Sequence, residues 1–363
     1  MEPADVAGQR MRRMGLLGPL LEKPVDVVRH HLAMQSQDVG PAKWSIGQRL
    51  NGLTDREVER KISDGSILRT HVLRPTWHFV ARTDLRWLMA LSGPRVQRGL
   101  ESRYRKLGLD AKTRARGERV IAKHLEGGNH LTRRELGAIL RKARIDPEGQ
   151  RMPHLLSHCE LEAIICSGQV KGKQQTFALF DERVPTGPRL DRDKALVELV
   201  RRYLNSHGPA TLADLSWWSG LTTTDLKAGL EGLAPRASSE TLDGLTLWWT
   251  DKEPRGRPRR PVVQLLQAYD ELVVGYTESR YLGDPRRARI RAAFIDRSVP
   301  NGTVMVGSRV LGHWRRSTKE KVVEVEAHLY EPLRGAQAKA MEKAVGDLGR
   351  FVGKEVRVQT NRI

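Results

Sequence analysis

Gln35 and Gln37 stand two positions apart in the chain, with Ser36 between them. A carboxamide offers one carbonyl acceptor and two N–H donors, and it does not ionise. Two carboxamides aimed at one point can hold a water molecule in place. They cannot activate it as a carboxylate would, so the bond under attack must already be weak. On an ideal helix, residues i and i+2 point about 200° apart. In extended chain they share a side. The pair therefore converges only where the backbone leaves helical geometry. Gly40-Pro41, just downstream, reads as a turn, because the residue before proline disfavours helix.

Three nearby residues are candidates to support such a site. Asp38 is the nearest carboxylate. It is suited to orient Gln37 or to take a proton, and equally to cap a helix or shape a turn. Thr76 and His78 alternate along a predicted strand and so face one side. His78 suits a phosphate contact or an orienting role near neutral pH, and equally a buried structural place.

The surrounding pattern says what positions these residues. Two helical stretches, a third helix and two short strands recur three times. In the first copy the helices are Pro24 to Leu32 and Leu50 to Ser63, with Thr54 and Glu57 as a capping box. Its strands are Ser66 to Arg69 and Trp77 to Val80. The second copy has helices at Glu118 to Glu126, Thr132 to Lys142 and Met152 to Ile165. Its strands, Gly168 to Val170 and Thr176 to Phe180, flank Lys171-Gly172-Lys173. The third copy has helices at Lys194 to Asn205, Thr211 to Trp218 and Thr223 to Leu230, then a strand at Leu245 to Thr250. This order is that of a winged helix, whose third helix enters a groove and whose hairpin forms a wing. Trp217 and Trp218 read as core.

After the basic, Pro-rich stretch 255–261 the pattern changes. Val262 to Leu266, Leu272 to Tyr276, Thr303 to Val306, Val322 to Leu329 and Val356 to Thr360 read as strands, and Glu331 to Leu348 as a helix. The fold class is α+β: three tandem winged helices and a C-terminal α+β domain. The expected boundaries are 1–110, which includes a linker helix, then 111–190, 191–254 and 255–363.

Composition points to the partner. The 363 residues carry 63 Lys plus Arg against 43 Asp plus Glu, a formal net charge of +20. Such a chain neutralises phosphates and releases their counterions. Lys171 and Lys173 on the second wing, Arg114 and Arg116 before the second copy, and Arg286, Arg287 and Arg289 near the C-terminus are the expected DNA contacts. Cys159 and Cys166, the two cysteines, are seven residues apart, roughly 10 Å on a helix and too far for a disulfide. No Cys/His spacing suggests zinc, no nucleotide motif appears, and no apolar run is long enough to span a membrane. The expectation is a cytoplasmic, nucleoid-associated monomer with no cofactor.

Several segments resemble a known family. Gln35-Ser-Gln37, Arg74-Pro-Thr-Trp-His78, Gly208-Pro-Ala-Thr-Leu-Ala-Asp-Leu-Ser-Trp-Trp-Ser-Gly220 and Leu265-Leu-Gln-Ala-Tyr-Asp-Glu-Leu-Val-Val-Gly-Tyr276 look like the AlkZ/YcaQ-type winged-helix DNA glycosylases. The matches run from about residue 10 to residue 330. The resemblance implies a C-shaped molecule with a concave surface sized for duplex DNA. It implies excision of cationic N-alkylpurines, N7-alkylguanine or N3-alkyladenine, with bulky or crosslinked adducts in some members. It also implies that Gln35 and Gln37 are the catalytic pair. Ser36 stands where the family pattern places an aliphatic side chain. An alternative from the same basic surfaces is a non-catalytic winged-helix DNA-binding or regulatory protein. A third is an RNA-binding or ribosome-associated protein.

Overall fold

A computed structural model of the chain describes residues 2–17, 21–172, 174–187, 190–250, 262–280, 282 and 302–362. After α1 (Pro3–Arg13), a first repeat contains α2 (Pro24–His31), β1 (Met34–Gln35), α3 (Val39–Gly47), α4 (Asp55–Ser63), β2 (Ile67–Val72) and β3 (Arg74–Ala81). Its strands form an antiparallel sheet in the order β1-β3-β2. The 25-residue helix α5 (Arg82–Lys106) leads to a second repeat. That repeat is α6 (Ala111–Leu125), β4 (Leu131–Thr132), α7 (Arg133–Lys142), α8 (Arg151–Leu161), β5 (Ile165–Ser167) and β6 (Thr176–Leu179), with sheet order β4-β6-β5. The short α9 (Phe180–Arg183) connects it to a third repeat. This has α10 (Arg192–His207), α11 (Leu212–Ser219), α12 (Thr223–Leu233), β7 (Ala237–Leu242) and β8 (Leu245–Thr250). Here the first strand is reduced to a single bridge between Ala210 and Trp248.

Helix starts follow their caps. Thr54 with Glu57, Thr132 with Glu135 and Thr211 with Asp214 each close a reciprocal capping box, satisfying N–H groups that the first helical turn leaves unpaired. Two expectations for this part need correction. Gly40-Pro41 is not a turn: both lie in the first turn of α3, where proline has no helical hydrogen bond to lose. The expected helix through Ile165 ends at Leu161, with Ala163 at φ 55, so β5 lies about three residues before the expected strand.

The C-terminal part is a five-stranded sheet in the order β13-β12-β11-β10-β9. Its members are β9 (Val263–Leu266), β10 (Gly302–Val306), β11 (Arg309–Thr318), β12 (Val322–Leu329) and β13 (Glu355–Arg362). Only β12 and β13 run parallel, joined by the crossover helix α14 (Ala336–Val352). Leu272 to Tyr276 is not a strand. It is largely taken up by the short helix α13 (Glu271–Val274), whose N-cap is Asp270.

Two shared cores tie these parts together. One joins Val27, Met34, Trp44 and Phe79 of the first repeat to Leu265, Val325 and Phe351 of the C-terminal part. The indole of Trp44 donates to the Leu265 carbonyl at 2.8 Å. A Cβ on Gly47 would overlap the Phe351 ring, so α3 and α14 approach closely only because that side chain is absent. The other core joins Leu68, Val72 and Val80 to Leu199, Tyr203 and Trp218 of the third repeat. The first-repeat sheet is thus covered on both faces. Among the described residues no helix is long and apolar enough to cross a membrane.

Candidate active site

The segment carrying the two glutamines is extended because α2 stops abruptly. Leu32, fully buried, takes φ 69 and ψ −49 and turns the chain out of the helix. Met34 then pairs with Phe79 and Gln35 with His78. The Ser36 N–H continues the pairing by donating to the Trp77 carbonyl at 2.7 Å. Asp38 starts the next helix as the N-cap of α3, without a side-chain capping bond.

Gln35 is held at two points. Its backbone N–H donates to Oε1 of Glu271 at 2.6 Å. Its side-chain Oε1 accepts from Nη2 of Arg74 at 3.0 Å. The side chain is 8% exposed. Glu271 is itself buried and accepts from the Trp218 indole at 2.9 Å, with Nε2 of His207 at 3.3 Å. Burial works to raise this carboxyl, but His207 and the Gln35 N–H outweigh it and hold it below its ordinary value.

Arg69 grips the segment from the other side. Its Nε donates to the Ser36 carbonyl at 3.0 Å and its Nη2 to the Gln37 carbonyl at 3.3 Å. Its Nη1 reaches Oε1 of Gln175, just before β6. The guanidinium lies over the Trp77 ring, 4.0 Å from the centroid. On the same face His71 meets the fully buried Glu160 of α8 at 2.5 Å. The second repeat therefore braces the glutamine segment through both Gln175 and Glu160.

Ser36 is fully buried, as a side chain in the middle position should be, but its Oγ has no partner among the described residues. Gln37 and Asp38 are exposed. Thr76 and His78 share the side of β3 that lies beside Gln35. His78 is fully buried, so a phosphate contact is excluded. Its Nδ1 lies 3.0 Å from the Thr76 carbonyl and must carry the proton, because a carbonyl only accepts. Burial, then the charge of Arg74, pushes His78 down to about 3, so the ring is neutral. Its Nε2 and the Thr76 Oγ1 are buried without partners among the described residues.

The basic residues expected on DNA divide differently. Lys171 is exposed at the tip of the second hairpin, 3.9 Å from Glu135. Lys173, Arg286, Arg287 and Arg289 lie outside the described residues. Arg114 is turned inward: it pairs with Glu101 at 3.2 Å, donates to the Leu109 carbonyl at 2.8 Å and lies over the Tyr104 ring. Arg116 donates to the Ala143 carbonyl. The Arg114 guanidinium ties α6 to α5, whereas Arg116 stays exposed at the surface. The first hairpin has no free tip, since Leu73 is buried at its turn and its N–H donates to Ser92 Oγ at 3.1 Å.

Sequence reasoning assigned no role to Arg69, Arg74 or Glu271. A signal existed for Arg74, which alternates with Thr76 and His78 along β3. It also read both Trp217 and Trp218 as core. Trp218 is fully buried, but Trp217 is 48% exposed, with its indole N–H on the Val274 carbonyl and Arg74 5.6 Å from its ring centroid.

Comparison with known proteins adds three findings. A family profile described as DNA glycosylase AlkZ-like matches residues 28–351. An interstrand DNA cross-link repair glycosylase of Streptomyces sahachiroi is 24% identical over 366 residues, covering 96% of each chain. The solved structure of the Streptomyces sahachiroi DNA glycosylase AlkZ has the same fold, with a TM-score of 0.79 at 20% identity, over 99% of this chain and 100% of the other.

Proposed function

We propose a reaction for this site on the premise that the chain belongs to the AlkZ-like DNA glycosylase family and is an enzyme acting on N-glycosyl bonds. The substrate is a cationic N-alkylpurine in duplex DNA. Its glycosidic bond is already weakened, because the departing base leaves as a neutral molecule. Gln35 and Gln37 hold a water against C1′. A lone pair of that water forms the C1′–O bond, the C1′–N pair leaves with the base, and the water's proton passes to solvent. No protonation of the leaving group is required.

The observation that carries this reading is the extended backbone from Met34 to Ser36, paired against β3. Extended geometry brings residues 35 and 37 to one side, which a helix would not. Positioning alone supplies several kcal/mol of barrier reduction, and it is what un-ionisable amides can supply. The three repeats are read as winged helices arranged as a C around the duplex, with Lys171 of the second hairpin on the DNA backbone. The name of the relative, an interstrand DNA cross-link repair glycosylase, supports adding bulky and crosslinked adducts to the substrate panel.

The test is base release from duplex DNA containing N7-methylguanine, read as alkali-labile abasic sites. Wild-type protein should exceed spontaneous release. Gln37→Ala should slow single-turnover excision by about 10²-fold, the range for a positioned catalytic group, with DNA affinity unchanged. No release above background, despite DNA binding, refutes the reaction. Equal losses in binding and excision refute the water-positioning role.

A further inference from the structure

We infer that Arg74 is a positioning residue that fixes the Gln35 carboxamide in one orientation and so gives the two glutamines unequal roles. The inference rests on the reading that this pair holds the attacking water.

Arginine carries five N–H donors and no acceptor. The end of the Gln35 amide facing Arg74 Nη2 at 3.0 Å must therefore be the carbonyl. A flipped amide would set donor against donor. Gln35 has little freedom to escape this choice, because its side chain is buried and its N–H is tied to Glu271. Arg74 is confined in turn, half-buried between the Trp217 ring and the charge of Glu271. With Oε1 turned to the Arg74 guanidinium, the NH2 is the group that Gln35 directs to the site. That Nε2 has no protein acceptor among the described residues.

Gln37 is placed differently. Its backbone carbonyl is gripped by Arg69, and the residue is exposed. The water then donates one proton to the Gln37 side-chain carbonyl and accepts from the Gln35 NH2. One lone pair remains for C1′. The water's other proton leaves to solvent as the C1′–N bond breaks, so charge and atoms balance. Buried Glu271 offsets the Arg74 charge, which would otherwise oppose the positive charge developing on the sugar.

The roles predict opposite pH responses. The experiment follows single-turnover excision of N7-methylguanine between pH 5 and 8, corrected for spontaneous loss, together with duplex-DNA Kd. The proteins are wild type, Arg74→Met, Arg74→Lys, Gln35→Glu and Gln37→Glu. Gln35→Glu keeps a partner for Arg74 but loses the donor. Its rate should fall about 10²-fold at pH 7, the scale for a positioned group, and rise as pH falls and the acid regains an O–H. Gln37→Glu keeps an acceptor, charged and strong at neutral pH and weakened by protonation, so its rate should fall towards acid pH. Arg74→Met should lose at least tenfold in rate at unchanged Kd, and Arg74→Lys should recover part of that loss. Arg74→Met at wild-type rate, or the same pH slope for both glutamate variants, overturns the inference. The glutamate pair keeps this test decisive if Arg74→Met does not fold. Absence of excision by wild type instead refutes the reading of the site, and the inference with it.

Discussion

Ser36→Ala should make this protein more stable, although it removes a polar group from the centre of the candidate site. The Ser36 hydroxyl is fully buried and has no partner among the described residues. Leaving such a group unpaired costs about 1–3 kcal/mol. The backbone bonds of this residue, to the Trp77 carbonyl and from Arg69, do not involve the side chain and survive the change. Alanine keeps the Cβ and leaves only a small void, which removes part of the gain. The expected net change is about +1 kcal/mol, near the low end of that penalty. It corresponds to a Tm rise of about 1 °C for a chain of this size. The assay is urea unfolding, where the midpoint should rise with an unchanged slope, because the exposed surface is the same. A midpoint lowered by the equivalent of 0.5 kcal/mol or more, roughly half the low-end penalty, refutes the reasoning. It would mean that the hydroxyl has a partner worth keeping.

Two further outcomes follow from the same surroundings. Glu271→Gln preserves shape but puts an NH2 against a donor, whichever way the amide turns, because Oε1 faces the Gln35 N–H and Oε2 faces the Trp218 indole. Loss of one charged hydrogen bond should destabilise by about 1.5–3 kcal/mol in urea unfolding, and an unchanged midpoint would rule this out. His78 is neutral in the folded state, held at about 3 against 6.5 for a free side chain. The unfolded chain therefore binds the extra proton below pH 6.5. The stability contribution is complete above 6.5 and falls by about 1.4 kcal/mol per pH unit towards 3. By pH 5 the loss is about 2 kcal/mol from this residue. His78→Gln should flatten that part of the stability profile, and an unflattened slope would count against the assignment.

What could be read from the chain was local. Capping residues such as Thr132 and Glu135 act over three positions, so the helix starts follow from sequence. The same holds for the alternation that places Thr76 and His78 on one side of β3. The failures are long-range. Leu272 to Tyr276 is a short apolar run that reads as a strand, yet Asp270 is locked bidentately by Arg49 at 2.8 and 2.9 Å, both fully buried, and caps a short helix instead. Arg49 is 221 residues away in the chain. Arg114 looks like a free surface cation until Glu101 is placed beside it. Arg69 and Glu271 hold the glutamine segment from 33 and 236 residues away, and no spacing rule reaches that far.

That distribution has a chemical logic. A carboxylate can help a water molecule by taking its proton, and it tolerates some error in placement. A carboxamide has only its geometry to contribute, and the several kcal/mol available from orientation vanish when it rotates freely. On the proposed reading, a pair of amides requires heavier bracing than a carboxylate site would. The bracing is what surrounds residues 35–37: Glu271 on the Gln35 N–H, Arg74 on its side-chain carbonyl, and Arg69 on the next two backbone carbonyls. Each brace is charged, and charged hydrogen bonds are shorter and stronger than neutral ones. Each also draws on a different part of the chain. Arg69 reaches Gln175 of the second repeat, Arg74 contacts Trp217 of the third, and Glu271 belongs to the C-terminal part. The segment keeps its geometry only while all four parts are docked. Substitutions at those contacts should therefore slow excision before they unfold the protein.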